Sequence, residues 1–159
     1  MTDAEPTKPF SIESVPWEEW SEGARFGSRV RRLGKFGGAS HVGVLVEELP
    51  PGKQSSPLHD HTAEEEQLMI LAGEAILRLG GERHPMKAGD YAVFPAGQTL
   101  GHALVNESEA VCRFLMIGER NPNDVCIYPE SNKLFIRQTG EVYDKSAVRD
   151  YWDGEDTGG

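Results

Sequence analysis

The chain has 159 residues and a formal net charge of −10, a length typical of one compact domain that can bury a core. The acidic balance argues against nucleic-acid backbones and anionic membrane surfaces as partners, and no basic patch is visible to offset it. No apolar stretch approaches the roughly 20 residues of a membrane span, and the first residues lack the features of a secretion signal. We therefore expect a cytoplasmic protein with a small-molecule ligand, no nucleic-acid partner and no membrane partner.

Short apolar segments between glycines and prolines predict a β protein. The chain contains 18 Gly and 10 Pro, and the segments between them are rich in Val, Ile, Leu and Phe, which favour strands. In chain order, strands are predicted over residues 25–33, 41–48, 66–72, 74–79, 91–94, 102–106, 111–117 and 133–137. Eight short strands are typical of a sandwich or a barrel.

Turns and helices follow from the residues between these strands. The pair Gly80-Gly81 predicts a two-residue hairpin, because glycine takes positive φ without a side-chain clash. Little helix is expected, and the best candidates are the short segments 14–21 and 146–152. Aromatic side chains near both ends should pin the termini onto the domain or onto a second subunit; they are Trp17, Trp20, Tyr151 and Trp152.

One group of side chains has the spacing of a metal site. His59 and His61 are separated by one residue, which on a strand places both on the same face, and a run of three glutamates follows. His102 opens a later predicted strand and can complete the set from across a barrel. Imidazole and carboxylate donors suit a first-row divalent ion better than a thiolate site would.

These residues lie in two motifs that resemble those of the cupins. The first cupin motif is Gly, five residues, His-x-His, three or four residues, Glu, six residues and Gly. It is matched here, with six residues after the first glycine, by Gly52, His59, His61, Glu66 and Gly73. The second motif is Gly, five residues, Pro-x-Gly, two residues, His, three residues and Asn. It is matched, with two extra residues before the histidine, by Gly89, Pro95, Gly97, His102 and Asn106.

The resemblance implies a small antiparallel β-barrel, also described as a jelly roll or double-stranded β-helix, that holds a metal through three histidines and one glutamate. We accordingly divide the chain into an N-terminal arm (1–24), a cupin barrel (25–140), and a C-terminal arm with a loose tail (141–159). The run FLMIGERNPNDVCIYPESNKLFIR, followed by YWDGE, resembles small single-domain bacterial cupins described as sugar-phosphate isomerases.

The carboxylate ligand must be chosen from three adjacent glutamates. Counting back from Gly73 matches the family's glutamate to Glu66, and the strand period then turns Glu66 inward and Glu65 outward. A one-residue slip of register would give the role to Glu65. Glu64 is most simply a solvated charge, and Glu65 is kept as a candidate substrate-binding residue.

Other polar and sulfur-containing residues enter no motif. His41 and His84 are interpreted as structural or exposed histidines. Arg113 interrupts an apolar run, so it needs either a carboxylate partner, the favoured interpretation, or an anionic substrate. Cys112 and Cys126 lack a CxxC spacing and are expected to be reduced structural thiols.

Three functions are compatible with the predicted site. The first is an isomerase or epimerase acting on a sugar or sugar phosphate through a metal-polarised ene-diol, with Glu64 or Glu65 as base if the barrel brings one within reach. No cluster of basic residues for a phosphate is visible in the sequence. The second is a ferrous-iron dioxygenase or related oxidoreductase, and the third a non-catalytic barrel that binds a small metabolite. We expect the site to hold one divalent transition metal (Fe, Mn, Zn or Ni), and we expect a homodimer.

Overall fold

Strands account for most of the regular structure in residues 8–158, which are the residues that this computed structural model describes. In chain order the strands are β1 (Glu18–Glu22), β2 (Phe26–Arg31), β3 (Val42–Leu49), β4 (Asp60–His61), β5 (Glu66–Ala72), β6 (Glu74–Leu79), β7 (Glu82–Lys87), β8 (Tyr91–Phe94), β9 (His102–Val105), β10 (Cys112–Glu119), β11 (Val125–Tyr128), β12 (Lys133–Ile136) and β13 (Glu141–Asp144). One short helix, α1 (Leu33–Phe36), joins β2 to β3, and single 3-10 turns occupy Ile12–Ser14 and Lys145–Ala147.

The strands form three antiparallel sheets. The largest has the order β1-β2-β3-β10-β5-β8, a second has the order β13-β12-β11-β4, and a third has the order β7-β6-β9. An isolated bridge between His59 and His102 connects the chain just before β4 to β9. The prediction of an all-β, antiparallel fold with little helix is confirmed.

The core lies between the sheets and follows the two-residue period of the strands. On β5, Leu68 and Ile70 are buried, and on the neighbouring strand β10, Phe114 is completely buried. The antiparallel register places Phe114 opposite Ile70 and Gly118 opposite Glu66. Side chains that face each other across two strands lie on the same side of the sheet. Glu66 therefore belongs to the inner face of the sheet, as the sequence predicted.

Glycine is required at the turn between β5 and β6. Gly73 has a φ of +76°, and a Cβ at this position would lie 2.7 Å from the carbonyl oxygen of Val111. Any other residue would meet both backbone strain and a steric clash there. The predicted hairpin at Gly80-Gly81 is present between β6 and β7, with positive φ at Gly80.

Both predicted helices are wrong. The segment 14–21 contains the end of a 3-10 turn followed by β1, which pairs with β2. The segment 146–152 contains the end of a second 3-10 turn and then further turns. The side chains of β1 are all exposed, so this strand lacks the apolar alternation that identifies strands in a sequence. No helix within residues 8–158 is long and apolar enough to span a membrane.

The aromatic residues near the two ends differ in their contacts. The guanidinium groups of Arg29 and Arg31 both lie over the ring of Trp17, 4.5 and 4.4 Å from its centroid, and these cation–π contacts fix the N-terminal segment. Tyr151 and Trp152 contact each other and remain largely exposed.

Cys112 and Cys126 are buried free thiols, as predicted.

A buried carboxylate inside the barrel should make stability depend on pH. Glu47 is 8% exposed, and burial raises its pKa from the ordinary 4.5 to about 7. The folded state then binds this proton more tightly than the unfolded state does, so the free energy of unfolding falls as pH rises from 4.5 to about 7. We expect Glu47→Gln to stabilise the protein above pH 7 by up to about 3 kcal/mol, and to give no such gain near pH 4.5.

Urea unfolding at several pH values measures this effect. The control is Glu19→Gln, which replaces an exposed carboxylate. The free energy of unfolding of this variant should depend on pH as it does in the unmodified protein. An unchanged pH dependence in Glu47→Gln would contradict the prediction.

Candidate metal centre

Two adjacent segments bring the histidines together. His61 lies on β4, where it pairs with Cys126 of β11, and His59 precedes β4 and bridges to His102 at the start of β9. The ring centroids of His59 and His61 are 5.1 Å apart, and those of His59 and His102 are 4.7 Å apart. The His-x-His spacing and the β4–β9 contact together place three imidazoles at one point inside the barrel.

Glu66 meets all three rings through a single oxygen. Its Oε2 is 2.8 Å from Nε2 of His102, 3.4 Å from Nε2 of His61 and 3.7 Å from Nε2 of His59. The same nitrogen of each ring therefore faces the same oxygen. Neither Glu64 nor Glu65 has this arrangement with the three rings within residues 8–158.

The opposite nitrogens of two rings have partners that determine their orientation. Nδ1 of His59 donates to the carbonyl oxygen of Pro57 at 2.8 Å, and because a carbonyl only accepts, Nδ1 carries the hydrogen. Nδ1 of His61 donates to Oδ2 of Asp124 at 2.7 Å. Both rings then direct Nε2 toward Glu66, and loss of the proton on Nε2 would free that nitrogen for a metal while Nδ1 keeps its partner, which is how metal-bound histidines are commonly held.

His102 is held by packing. The ring of Phe94 stacks on it with a centroid distance of 3.8 Å and an interplanar angle of 2°. Nδ1 of His102 is buried without a hydrogen-bond partner among residues 8–158, so the only polar contact of this ring is the one between its Nε2 and Glu66.

The electrostatics of the group favour charge at Glu66. Although burial alone would raise the pKa of Glu66, hydrogen bonds from His102, His59 and His61 hold that pKa far below its usual range. Burial opposes protonation of His61, but Glu66 and Asp124 outweigh it and raise the pKa of His61 to about 9. The carboxylate is thus ionised and surrounded by three nitrogen donors. A divalent ion entering here would displace protons from the imidazoles.

This donor set fits a first-row divalent ion. Groups of possible ligand atoms within 4.8 Å of one another include His59, Glu66 and His102, and His61 joins them through its 3.4 Å approach to Glu66. Three imidazole nitrogens and one carboxylate oxygen leave further coordination positions open on an ion that prefers six ligands. Open positions are a property of catalytic rather than closed structural sites.

A buried ionic network lies behind His61. The carboxylate of Asp124, which is completely buried, also accepts from the backbone N–H of Ala63 at 3.0 Å. Glu64 is 3% exposed; its carboxylate accepts from Arg137 at 2.5 Å and from the backbone N–H of Asn121 at 2.7 Å. The interpretation of Glu64 as a solvated charge is therefore wrong, because the loop after β10 and the residue following β12 enclose it.

A cavity of about 670 Å³ adjoins the centre and is lined by Glu66. Its charged lining residues are Arg32, Glu64, Glu66, Glu119, Arg120 and Arg137. The sequence showed no basic cluster, yet three arginines line this cavity. They come from different parts of the chain, so no local sequence pattern predicts that they meet. Asp124 was also missed in the sequence, because it lies 63 residues from His61.

The remaining candidate residues lie in other contacts. Arg113 donates to Oε1 of Glu48 from two of its nitrogens, at 2.8 and 2.6 Å, which is the salt bridge favoured from the sequence. Glu65 accepts from the side-chain amide of Gln67 at 2.7 Å and lines a separate surface pocket. His41 and His84 are exposed.

Cys126 lies close to the centre. Its sulfur is within 4.8 Å of nitrogens of His59 and His61. Burial raises the pKa of Cys126 to about 12, so the thiol stays protonated at neutral pH. A protonated thiol is a poor metal ligand.

Known proteins resemble this chain in sequence and in fold. The family described as the cupin domain matches residues 45–118. A protein from Acidithiobacillus ferrooxidans provisionally named a sugar phosphate isomerase is 29% identical, with a TM-score of 0.80 over 87% of this chain and 91% of that chain. A sugar phosphate isomerase of the cupin superfamily from Silicibacter pomeroyi is 30% identical, with a TM-score of 0.79 over 92% of this chain and 98% of that chain.

A second similarity covers a shorter part of the chain. An oxalate-binding protein from Thermotoga maritima is 36% identical over 70 residues, which are 44% of this chain and 55% of that protein. The match thus spans about half the length of this relative. The matched domain and the identity across nearly all of the Silicibacter protein lead to one conclusion: the chain belongs to the cupin superfamily.

Proposed function

We propose that this cupin is a divalent-metal-dependent isomerase or epimerase that acts on a sugar or sugar phosphate. The ion would be held by His59, His61, Glu66 and His102. The observation that carries the proposal is the convergence of three Nε2 atoms on one oxygen of Glu66, beside a cavity large enough for a small metabolite. The likeness to two proteins named as sugar phosphate isomerases, at 29% and 30% identity, supports it.

The residues around the metal centre would have different roles. A bound divalent ion supplies a Lewis acid that polarises a carbonyl and its neighbouring hydroxyl group. Asp124 and the carbonyl of Pro57 hold the imidazoles of His61 and His59 in the orientation that leaves Nε2 free. Phe94 covers one face of His102 and keeps water from it. The cavity beside Glu66 would receive the substrate.

A second candidate function is metal-dependent binding of a small dicarboxylate without turnover. The similarity to the oxalate-binding protein from Thermotoga maritima, 36% over 70 residues, favours it. The same four residues would hold the ion in this case, and the arginines of the cavity would receive the carboxylates. The two functions differ in whether a carbon–hydrogen bond is broken.

Hydrogen exchange with solvent tests the proposal. The protein is loaded in turn with Mn²⁺, Zn²⁺, Ni²⁺ and Fe²⁺ and incubated in D₂O with a panel of aldose and ketose phosphates, and proton NMR follows the carbon next to the carbonyl. An ene-diol step exchanges that hydrogen for deuterium, so we expect ion-dependent exchange with at least one member of the panel.

Three outcomes would contradict the proposal. Absence of exchange with every ion, together with saturable oxalate binding, would replace the isomerase by the binding function. Substrate-dependent oxygen uptake by the Fe²⁺ form would replace it by a dioxygenase. Failure of the purified protein to bind any of the four ions would overturn both metal-dependent functions.

A further inference from the structure

We propose that Arg120 forms an anion subsite, together with Arg32 and Arg137, that binds the phosphate group of a phosphorylated substrate at the mouth of the metal centre. The inference rests on the proposed function and narrows its substrate class to phosphate esters. It starts from the cavity of about 670 Å³, whose lining includes these three arginines and Glu66.

Arg120 differs from the other two arginines in having no carboxylate partner. Arg32 donates to Glu18 at 2.9 Å and Arg137 donates to Glu64 at 2.5 Å. Within residues 8–158, Arg120 forms no ion pair, although the chain as a whole carries a large excess of acidic residues. An unpaired guanidinium that lines a cavity in an acidic protein is available to an anionic ligand.

Two opposed glycines create the space that brings Arg120 toward Glu66. Gly43 on β3 is paired with Gly118 on β10. A Cβ at Gly43 would lie 3.0 Å from Nε of Arg120, and a Cβ at Gly118 would lie 3.2 Å from Oε1 of Glu66. The guanidinium and the metal-centre carboxylate thus occupy the places where two side chains of the sheet would otherwise stand.

The positions of Arg120 and Glu66 limit the distance between the phosphate and the hydroxy-carbonyl group of a substrate. Facing positions on antiparallel strands have Cβ atoms about 5 Å apart, and both groups extend beyond those positions. A molecule of a few carbons could therefore contact the metal centre with its hydroxy-carbonyl end and Arg120 with a phosphate at the other end. Arginine binds phosphate through paired N–H groups, which gives direction as well as affinity.

The charges of the cavity also favour an anion once an ion is bound. Three arginines and three glutamates line it, namely Arg32, Arg120, Arg137, Glu64, Glu66 and Glu119. Their formal charges cancel, so a divalent ion would leave the cavity net positive. Glu64 is already held by Arg137 and Asn121, and Glu119 accepts from the backbone N–H of Glu65 at 2.9 Å. Among residues 8–158, neither glutamate forms an ion pair with Arg120.

Calorimetric titration of the Zn²⁺-loaded protein with inorganic phosphate tests the subsite. We expect saturable binding that weakens with added salt, and about a tenfold loss of affinity in Arg120→Gln, as expected when one charge-assisted contact is removed. Gly43→Ala should also weaken phosphate binding, because the new methyl group crowds the guanidinium of Arg120. Arg83→Gln is the matched control. Arg83 is an exposed arginine of β7 that pairs with Glu107 and does not line the cavity.

The outcomes separate the subsite from the enzyme activity, because phosphate binding requires no turnover. Equal phosphate affinity in Arg120→Gln and the unmodified protein would overturn the subsite and assign phosphate binding to the ion alone. Absence of saturable binding in the unmodified Zn²⁺ form would also overturn it. If isomerase activity is found, Arg120→Gln should raise KM for phosphorylated sugars and leave KM for the free sugars unchanged. A missing activity with intact phosphate binding would refute only the proposed function.

Discussion

The Glu66→Gln variant is expected to bind a divalent transition ion more than about 100-fold more weakly than the unmodified protein, since even outer partners of metal ligands commonly contribute 10- to 100-fold. Oε2 of Glu66 approaches Nε2 of all three histidines, with the shortest distance, 2.8 Å, to His102. An amide at this position removes the one negative charge among three imidazoles. Titration of Zn²⁺ or Mn²⁺ against a competing chelator measures the affinity.

Glu65→Gln is the matched control for this variant. Glu65 is the adjacent carboxylate on the opposite side of the chain, and its contact is with Gln67. We expect its metal affinity to equal that of the unmodified protein. Equal losses in the two variants would refute the assignment of Glu66, and comparison of their thermal unfolding shows whether either loss comes from misfolding.

Asp124→Asn should weaken metal binding by about 10- to 100-fold without removing a ligand. Asp124 accepts from Nδ1 of His61 at 2.7 Å and from the backbone N–H of Ala63 at 3.0 Å, through different oxygens. An asparagine has only one oxygen and can satisfy only one of these two donors. His61 loses its negatively charged partner in either orientation of the amide, and it also loses its acceptor if the amide nitrogen faces Nδ1.

The same variant should lose stability in the metal-free form. One buried donor is left without an acceptor, which costs about 1–3 kcal/mol. Asp90→Asn is the control, because Asp90 also accepts from a backbone N–H, that of Lys87 at 2.8 Å, in an exposed turn. Urea unfolding gives the stability, and a chelator titration gives the affinity. Metal affinity in Asp124→Asn equal to that in Asp90→Asn would show that Asp124 does not orient His61.

Much of the fold was predictable because its information is local. Strands such as β5 and β6 are short segments rich in apolar residues, and a glycine marks the turn between them, so composition and turn chemistry agree. Two of the strands missed in the sequence, β1 and β4, lacked these signals. β1 is exposed along its whole length, and β4 has only two residues. The antiparallel pairing that makes them strands involves residues elsewhere in the chain.

The candidate centre was predictable in part for the same reason. His59 and His61 are two residues apart and Glu66 follows five residues later, so a short stretch of sequence contains three donors. His102 was assigned through its motif. The inward direction of Glu66 followed from the strand period, and the register with Gly118 agrees with it.

By itself, the sequence determined the β class and several turns and indicated the four candidate donor residues, because each of these depends on spacing within a motif or a few residues. Only the tertiary structure decided what surrounds those donors. Asp124 is 63 residues from His61, and Arg137 is 73 residues from Glu64. Arg120 reaches the cavity beside Glu66 because glycines on β3 and β10 face each other. Such contacts depend on how strands pair across a barrel, and pairing between distant strands leaves no periodic signal in either segment.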